Sequence, residues 1–325
     1  MSSHAKHRRK VNKYIKEGII GAAQDPRRHE SHDEEVAAVE GAVKTGGVDR
    51  VAALRAQFLS LQRLNEGLAA VVAGEPDGWA RVLAAVGWRC AGYLADRGLA
   101  TVTDQSVAGL SALALGQWEL AWALAENLLA TDADDKLDGG YHPIDYPTCN
   151  LLVQLMLKLE DREAELQGSW TGRERLRGYR AAFEALDEPD VFESALVEAC
   201  DEHMRLTAFK RGYYLDFYAD PWPVDIVALM RVLEHLVGTK VALPDHPLTQ
   251  SPIAAIPSVI EQPELGAVLE QDELFDAFVR GAHQAGLFVA FPGRRASSQL
   301  WPPPPQPYAS LATEPYTPQP QKVQP

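Results

Sequence analysis

Residues 48–74 read VDRVAALRAQFLSLQRLNEGLAAVVAG, and this stretch decides the fold class because its apolar residues recur every three or four positions. Such spacing places them on one side of an α-helix, as expected for a helix that packs against a core. The period begins at Asp49, and Gly74 ends it. The predicted buried face consists of Val51, Leu54, Phe58, Leu61, Leu64, Leu68 and Val71.

The same period continues along the chain between short turns. We predict helices over 77–96, 103–114, 118–130, from about 148 onward, and over 173–186, 191–209, 221–237 and 264–284. Only 240–243 and 287–291 resemble strands, and neither has a hairpin partner. Successive helices joined by short turns predict an all-α protein, either an irregular helical bundle or a solenoid-like stack of helical hairpins.

Composition divides the chain into three parts. Residues 1–48 are expected to form a basic, polar leader that is partly disordered, and 49–291 a single all-α domain. Residues 292–325 are rich in proline and poor in apolar side chains, which predicts a disordered, extended tail.

The charge is unevenly distributed. Residues 1–28 contain eight basic and two acidic side chains, a balance of +6, so the other 297 residues carry −20 of the total of −14. So acidic a body repels phosphate backbones, which makes nucleic acid an unexpected partner. It would attract a basic protein and speed the encounter. The alternative is that the acidity serves only solubility.

The N-terminal stretch and the cysteines indicate a cytoplasmic protein. No apolar core of a secretory signal is present, and no run approaches the length of a membrane span. Cys90, Cys149 and Cys200 are odd in number, far apart and set in apolar helical sequence, so we expect reduced core residues. Nucleotide-binding glycine motifs, metalloprotease motifs and nucleophile elbows are absent from the sequence, so no enzyme activity, cofactor or metal is predicted.

The histidines give no convincing site from spacing alone. His29 and His32 stand beside Asp33, but in a mobile leader that would not preorganise metal ligands. His203 and His235 lie on predicted helices, where the helix dipole favours a histidine near the C-terminus without any catalytic need. His142, His246 and His283 have no cysteine or carboxylate at ligand spacing.

An acidic segment follows the helix predicted over 118–130. Its spacing fails as a calcium loop, because Leu137 stands where glycine is needed and Pro143 where glutamate is needed. The remaining interpretations are a solvated loop or a contact surface for a basic partner. The candidate residues of such a contact surface are Asp132, Asp134, Asp135 and Asp138.

Residues 192–248 resemble the C-terminal part of the immunity protein 49 family of bacterial polymorphic-toxin systems. The resemblance lies in a helix that ends near a histidine, an aromatic linker, an acidic-proline turn, an apolar helix and a closing glycine. The upstream helices are similar in pattern, so the resemblance covers about residues 50–250. The positions that carry it are His203, Tyr213, Tyr214, Asp220, Pro221, Asp225 and Gly238.

This resemblance implies a helical protein without enzyme activity that binds and neutralises a cognate toxin in the producing cell. Under this hypothesis the predicted toxin interface is the acidic contact surface of Asp132, Asp134, Asp135 and Asp138. The family's toxins are often nucleases, which are basic, and the matching positions would be structural. A second hypothesis is a helical-repeat adaptor, similar to tetratricopeptide-repeat proteins, whose PPPPQPY segment docks into an aromatic groove. A third is an enzyme with a helical active site, which would need a convergent pocket of titratable side chains.

Overall fold

The computed structural model describes residues 3–95, 102–134, 147–160, 177–206, 222–238, 240–258, 262 and 271–287. In these ranges the chain forms eleven helices and no strand, which confirms the all-α prediction. The helices are α1 (Ser3–Lys13), α2 (Pro26–Lys44), α3 (Arg50–Ala73), α4 (Gly78–Ala95), α5 (Val102–Ala114), α6 (Trp118–Asp134), α7 (Pro147–Leu159), α8 (Arg177–Glu184), α9 (Pro189–Leu206), α10 (Val224–Val237) and α11 (Glu273–Gln284).

The segment predicted to be a leader packs on the other helices in the structure. α1 continues through a π-helical turn, Tyr14–Ile20, and α2 begins where the Asp25 side chain accepts a hydrogen bond from the Arg27 backbone N–H. Val11, Ile19 and Val39 are buried in the common core. Residues 3–44 therefore belong to the folded body, and the basic side chains of this segment lie on helices.

The buried face of α3 differs from the predicted one. Val51, Phe58 and Leu61 are 60%, 49% and 37% exposed, whereas Leu64 and Leu68 are buried as expected. The buried side of α3 instead contains many small residues, among them Ala53, Ala56, Ser60 and Gly67, and Ala53 and Gly67 lie where α4 approaches.

Backbone proximity explains this choice of face. A Cβ atom on Gly67 would lie 2.8 Å from the Val82 nitrogen, and one on Gly78 would lie 2.7 Å from the Val71 nitrogen. Only residues without a side chain allow α3 and α4 to approach so closely. The small residues therefore outweigh the larger apolar ones in orienting the helix.

α5 lies at the centre of the domain, because α4, α6, α7 and α10 all pack against it. Gly116, with φ of 78°, makes the turn between α5 and α6 that was predicted at 115–117. Gly238, with φ of 69°, ends α10. Residues 240–243 do not form the strand that their sequence resembles, and 288–291 lie outside the described residues.

α8 and α9 form a tight hairpin on one side of α10. α11 packs on α2 and α4, where the Asp272 carboxylate accepts hydrogen bonds from Trp88 Nε1 at 2.8 Å and Arg63 Nη1 at 3.2 Å. None of the helices in the described ranges is long and apolar enough to cross a membrane. The proline-rich tail, 292–325, lies outside the described residues.

Candidate functional site

Three consecutive helices bring together a buried triad of polar side chains, Tyr179, His203 and Asp225. Tyr179 lies near the start of α8, His203 near the end of α9 and Asp225 in the first turn of α10. The His203 and Asp225 residues are only 2% and 3% exposed. The structure thus unites two positions of the predicted motif, which are 22 residues apart in sequence.

The carboxylate of Asp225 is the acceptor that organises the triad. Its Oδ2 lies 2.8 Å from His203 Nδ1 and accepts a short hydrogen bond from the Tyr179 hydroxyl. The Tyr179 oxygen is also 3.0 Å from His203 Nδ1. Two donors therefore converge on one buried oxygen, which is the arrangement that makes a buried carboxylate tolerable.

Electrostatics in the triad favour a charged Asp225 and a neutral Tyr179. Burial by itself would raise the pKa of the Asp225 carboxyl, but the charge and hydrogen bond of His203 and the Tyr179 hydrogen bond lower it below its ordinary value. Burial, followed by the nearby Asp225 charge, raises the pKa of Tyr179 well above its ordinary value. The tyrosine hydroxyl therefore stays protonated and acts as a donor.

The triad links three helices by hydrogen bonds, and the cysteine beside it is not an activated thiol. The neighbouring Cys200 is buried, and burial raises the pKa of its thiol, so no thiolate is available there as a nucleophile. Burial likewise raises the pKa of the Cys90 thiol to about 12. Both cysteines, like Cys149, are buried and reduced, as the sequence predicts.

A cavity of about 340 Å³ adjoins the triad. Its polar lining includes His203, Asp225, Trp222 and Arg89, and its apolar lining includes Leu68. Asp225 Oδ1 and Trp222 Nε1 are buried there without a hydrogen-bond partner among the described residues. Residues with one unpartnered acceptor and one unpartnered donor therefore line a space large enough for about ten water molecules.

A shallow groove lies between α8 and α9 on the outer surface. It encloses about 260 Å³ and is lined by Glu184, Glu188, Val191, Glu198 and four small residues. Val191 lines the groove and is 45% exposed. We call this surface the α8–α9 groove.

The surroundings of the groove are acidic. Residues 177–206 contain eight carboxylates and three arginines, a net charge of −5. Glu184 accepts a hydrogen bond from Arg180 at 2.7 Å, while Glu188 and Glu198 form no salt bridge with any residue that the structure describes. The groove therefore offers negative charge that no described basic residue pairs, beside an apolar lining residue.

Close packing fixes the shape of the groove. A Cβ atom on Gly178 would lie 2.7 Å from the Glu198 carbonyl oxygen, so the two helices touch backbone to backbone. Glu202 Oε2 accepts the Gly178 backbone N–H at 2.7 Å, and burial raises the pKa of this carboxyl. The triad lies beneath the same hairpin and ties it to α10.

The predicted interface residues fall partly outside this description. Asp132 and Asp134 lie in the last turn of α6, which extends beyond the predicted end at residue 130, so they do not belong to a loop. Asp135 and Asp138 lie outside the described residues, as do Asp220 and Pro221. Tyr179 was missed by sequence reasoning, because a lone tyrosine in an amphipathic helix carries no signal of polar partners.

Comparison with known proteins gives no match: no family model, no curated protein and no solved structure is significantly similar to this chain. The resemblance to the immunity protein 49 family therefore stays a prediction.

Proposed function

We propose that this chain is an immunity protein that binds a cognate basic toxin and blocks it by occlusion. The observation that carries the proposal is the α8–α9 groove, which Glu188 and Glu198 line together with the exposed Val191. Protein interfaces combine an apolar centre with a charged rim that steers the partner. An acidic rim suits a basic partner.

The rigidity of the groove supports a role in binding. The triad and the Gly178 contact hold α8, α9 and α10 together before any partner arrives. A preorganised surface loses little conformational entropy on association. In this hypothesis the buried residues His203 and Asp225 do not contact the partner. They contribute to binding by fixing the shape of the surface above them.

The test begins with the neighbouring gene. We expect it to encode a secreted multidomain protein with a basic C-terminal toxin domain, whose toxicity disappears when this chain is co-expressed. A toxin domain that remains equally toxic in the presence of the chain would contradict the proposal.

The contribution of the groove is tested by charge reversal. Replacing Glu188 and Glu198 together by lysine should lower the association rate with that toxin domain by about 10-fold at low ionic strength. The matched control is Glu30→Lys with Glu34→Lys, two exposed glutamates of α2, which changes the net charge equally. If the association rate did not depend on salt concentration and were equal in both double variants, the groove would not be the surface that attracts the toxin.

Deleting residues 300–325 separates this function from the adaptor hypothesis. Protection against the toxin should survive the deletion, because the groove lies in α8 and α9. An adaptor that uses its proline-rich segment would lose its partner.

A further inference from the structure

Three histidines converge on one carboxylate at the surface of the domain. His4 and His7 lie one turn apart on α1, His246 lies in the turn that follows α10, and Asp201 lies on α9. We call these four residues the histidine cluster. His246 has no carboxylate at ligand spacing in the sequence, but the fold places Asp201, 45 residues away, beside it.

The distances within the histidine cluster fit a common ligand. Donor atoms of His4, Asp201 and His246 all lie within 4.8 Å of one another, and His7 Nδ1 is 3.6 Å from Asp201 Oδ1. The ring centroids of His246 lie 5.4 Å from His4 and 5.6 Å from His7. Imidazoles bound to one zinc ion in tetrahedral geometry have centroids about 5 Å apart. Small side-chain rotations would therefore bring the donors into range.

Burial favours the neutral form of two of the rings, because it is the largest cause that lowers the pKa of His7 and of His246. Positive charges lower the pKa further, those of two lysines and His4 at His7 and those of the other two histidines at His246, whereas the Asp201 carboxylate raises both values. A neutral imidazole offers a lone pair, which a metal ion needs. His7 Nδ1 is buried without a hydrogen bond to any described residue.

His246 carries one competing bond. Its Nδ1 accepts the Leu248 backbone N–H at 3.1 Å, so in the neutral ring the proton lies on Nε2, 3.3 Å from Asp201 Oδ1. A metal ion bound to Nε2 would move the ring proton to Nδ1. The protonated Nδ1 could no longer accept the Leu248 N–H, so this hydrogen bond would break. This bond is therefore a marker for coordination by His246.

The surroundings hold the donors in place and leave an approach from solvent. Lys10 Nζ donates to the Met204 carbonyl at 3.1 Å, and Arg8 donates to Gln250 Oε1 at 3.1 Å, which fixes α1 against α9 and the 246–250 turn. His246 is fully buried, whereas His4 is exposed and the Asp201 side chain is 51% exposed. An ion can therefore enter past His4 and Asp201.

We propose that the histidine cluster binds a divalent transition-metal ion, Zn²⁺ first, through His4, Asp201 and His246, with His7 as the fourth donor. Imidazole nitrogens with one carboxylate oxygen are donors that suit zinc and its neighbours, and they do not suit Mg²⁺ or Ca²⁺. A bound ion joins α1 to α9 and to the turn after α10. This site is independent of the α8–α9 groove.

Calorimetric titration of the full metal-free chain with ZnCl₂ tests the site, with MgCl₂ as the ion that should not bind. We expect one Zn²⁺ per chain, and Co²⁺ in its place should give the visible absorption bands of a tetrahedral nitrogen–oxygen site. His4→Gln and Asp201→Asn should each weaken Zn²⁺ binding by at least about 10-fold. His29→Gln, an exposed histidine of α2 outside the cluster, is the matched control.

Both ligand variants change exposed side chains, so their helical circular dichroism should equal that of the wild type. On addition of Zn²⁺ the Leu248 amide resonance should shift in the wild type, because its acceptor is lost. Zn²⁺ binding of equal affinity in the wild type and in the His4→Gln/Asp201→Asn double variant would overturn the proposal, as would failure to bind one equivalent.

Discussion

The chain builds two histidine–carboxylate groups from the same residue types, and they differ in what surrounds the carboxylate. In the triad, Asp225 is buried, and one of its oxygens receives both Tyr179 and His203. In the histidine cluster, Asp201 is half exposed and three imidazoles share it at longer distances. A carboxylate with short bonds to buried donors holds helices together, whereas one with loosely placed donors can accept a further ligand.

The largest effect should follow from removing the buried carboxylate. Asp225→Ala leaves His203 and Tyr179 without their acceptor in the core, and breaking a buried pair in this way costs about 3–5 kcal/mol of unfolding free energy. Urea denaturation followed by circular dichroism measures it. A loss below about 1 kcal/mol would mean that the triad does not hold the three helices.

Tyr179→Phe should have a smaller effect at the same place. The ring still fills its space, and Asp225 keeps His203, so only one hydrogen bond is lost, at about 1–2 kcal/mol of unfolding free energy. The same urea denaturation applies. If Tyr179→Phe cost as much as Asp225→Ala, the tyrosine and not the carboxylate would organise the triad.

The two groups should respond to acid in different ranges. His7 and His246 have a pKa below the ordinary 6.5 in the folded chain, so the unfolded chain binds protons first as the pH falls. The contribution of these two histidines to the free energy of unfolding is therefore fully present above pH 6.5 and is lost as the pH falls below that value. The pKa of Asp225 is lowered from 3.8, so its contribution is lost only as the pH falls through that lower value.

Thermal unfolding between pH 7 and pH 5 measures the histidine response. We expect the wild-type Tm to fall by about 2–4 °C, the shift that corresponds to roughly 1 kcal/mol in a domain of this size. The fall should shrink in His7→Gln, where one of the two histidines is absent. An unchanged slope in that variant would show that other groups cause the response.

The smallest effect should come from Asp201→Ala in the metal-free chain. Its side chain is half exposed, and surface ion pairs contribute about 0–1 kcal/mol to stability. Measured beside Asp225→Ala, this variant makes the same chemical change in the other group. Equal losses of unfolding free energy in the two variants would contradict the distinction between the triad, which stabilises the fold, and the histidine cluster, which binds a ligand.

The sequence predicts the helical class correctly because the period of three to four residues recurs in most segments between residues 49 and 284. The sequence pattern predicts the wrong buried face for α3. Hydrophobicity favours Val51, Phe58 and Leu61, but the backbone contacts at Gly67 and Gly78 require a face of small residues. Such a contact depends on a partner helix, which a single periodic stretch does not reveal.

The two sites differ in how far the sequence could lead to them. His203 and Asp225 stand in the motif that carries the family resemblance, and the structure brings them together. His4, Asp201 and His246 come from distant segments, and no local spacing joins them. Only the folding of α1 onto α9 creates that group of donors.

The contacts of α1 also have a consequence for synthesis on the ribosome. Arg8 meets Gln250, 242 residues later, and translation at about 5–20 residues per second needs about 12–50 s to cover that distance. Until then α1 lacks the part of its docking surface that the 246–250 turn provides, although its contact with Met204 on α9 can form earlier. The nascent chain therefore completes its fold only after α10 and the turn behind it have been made.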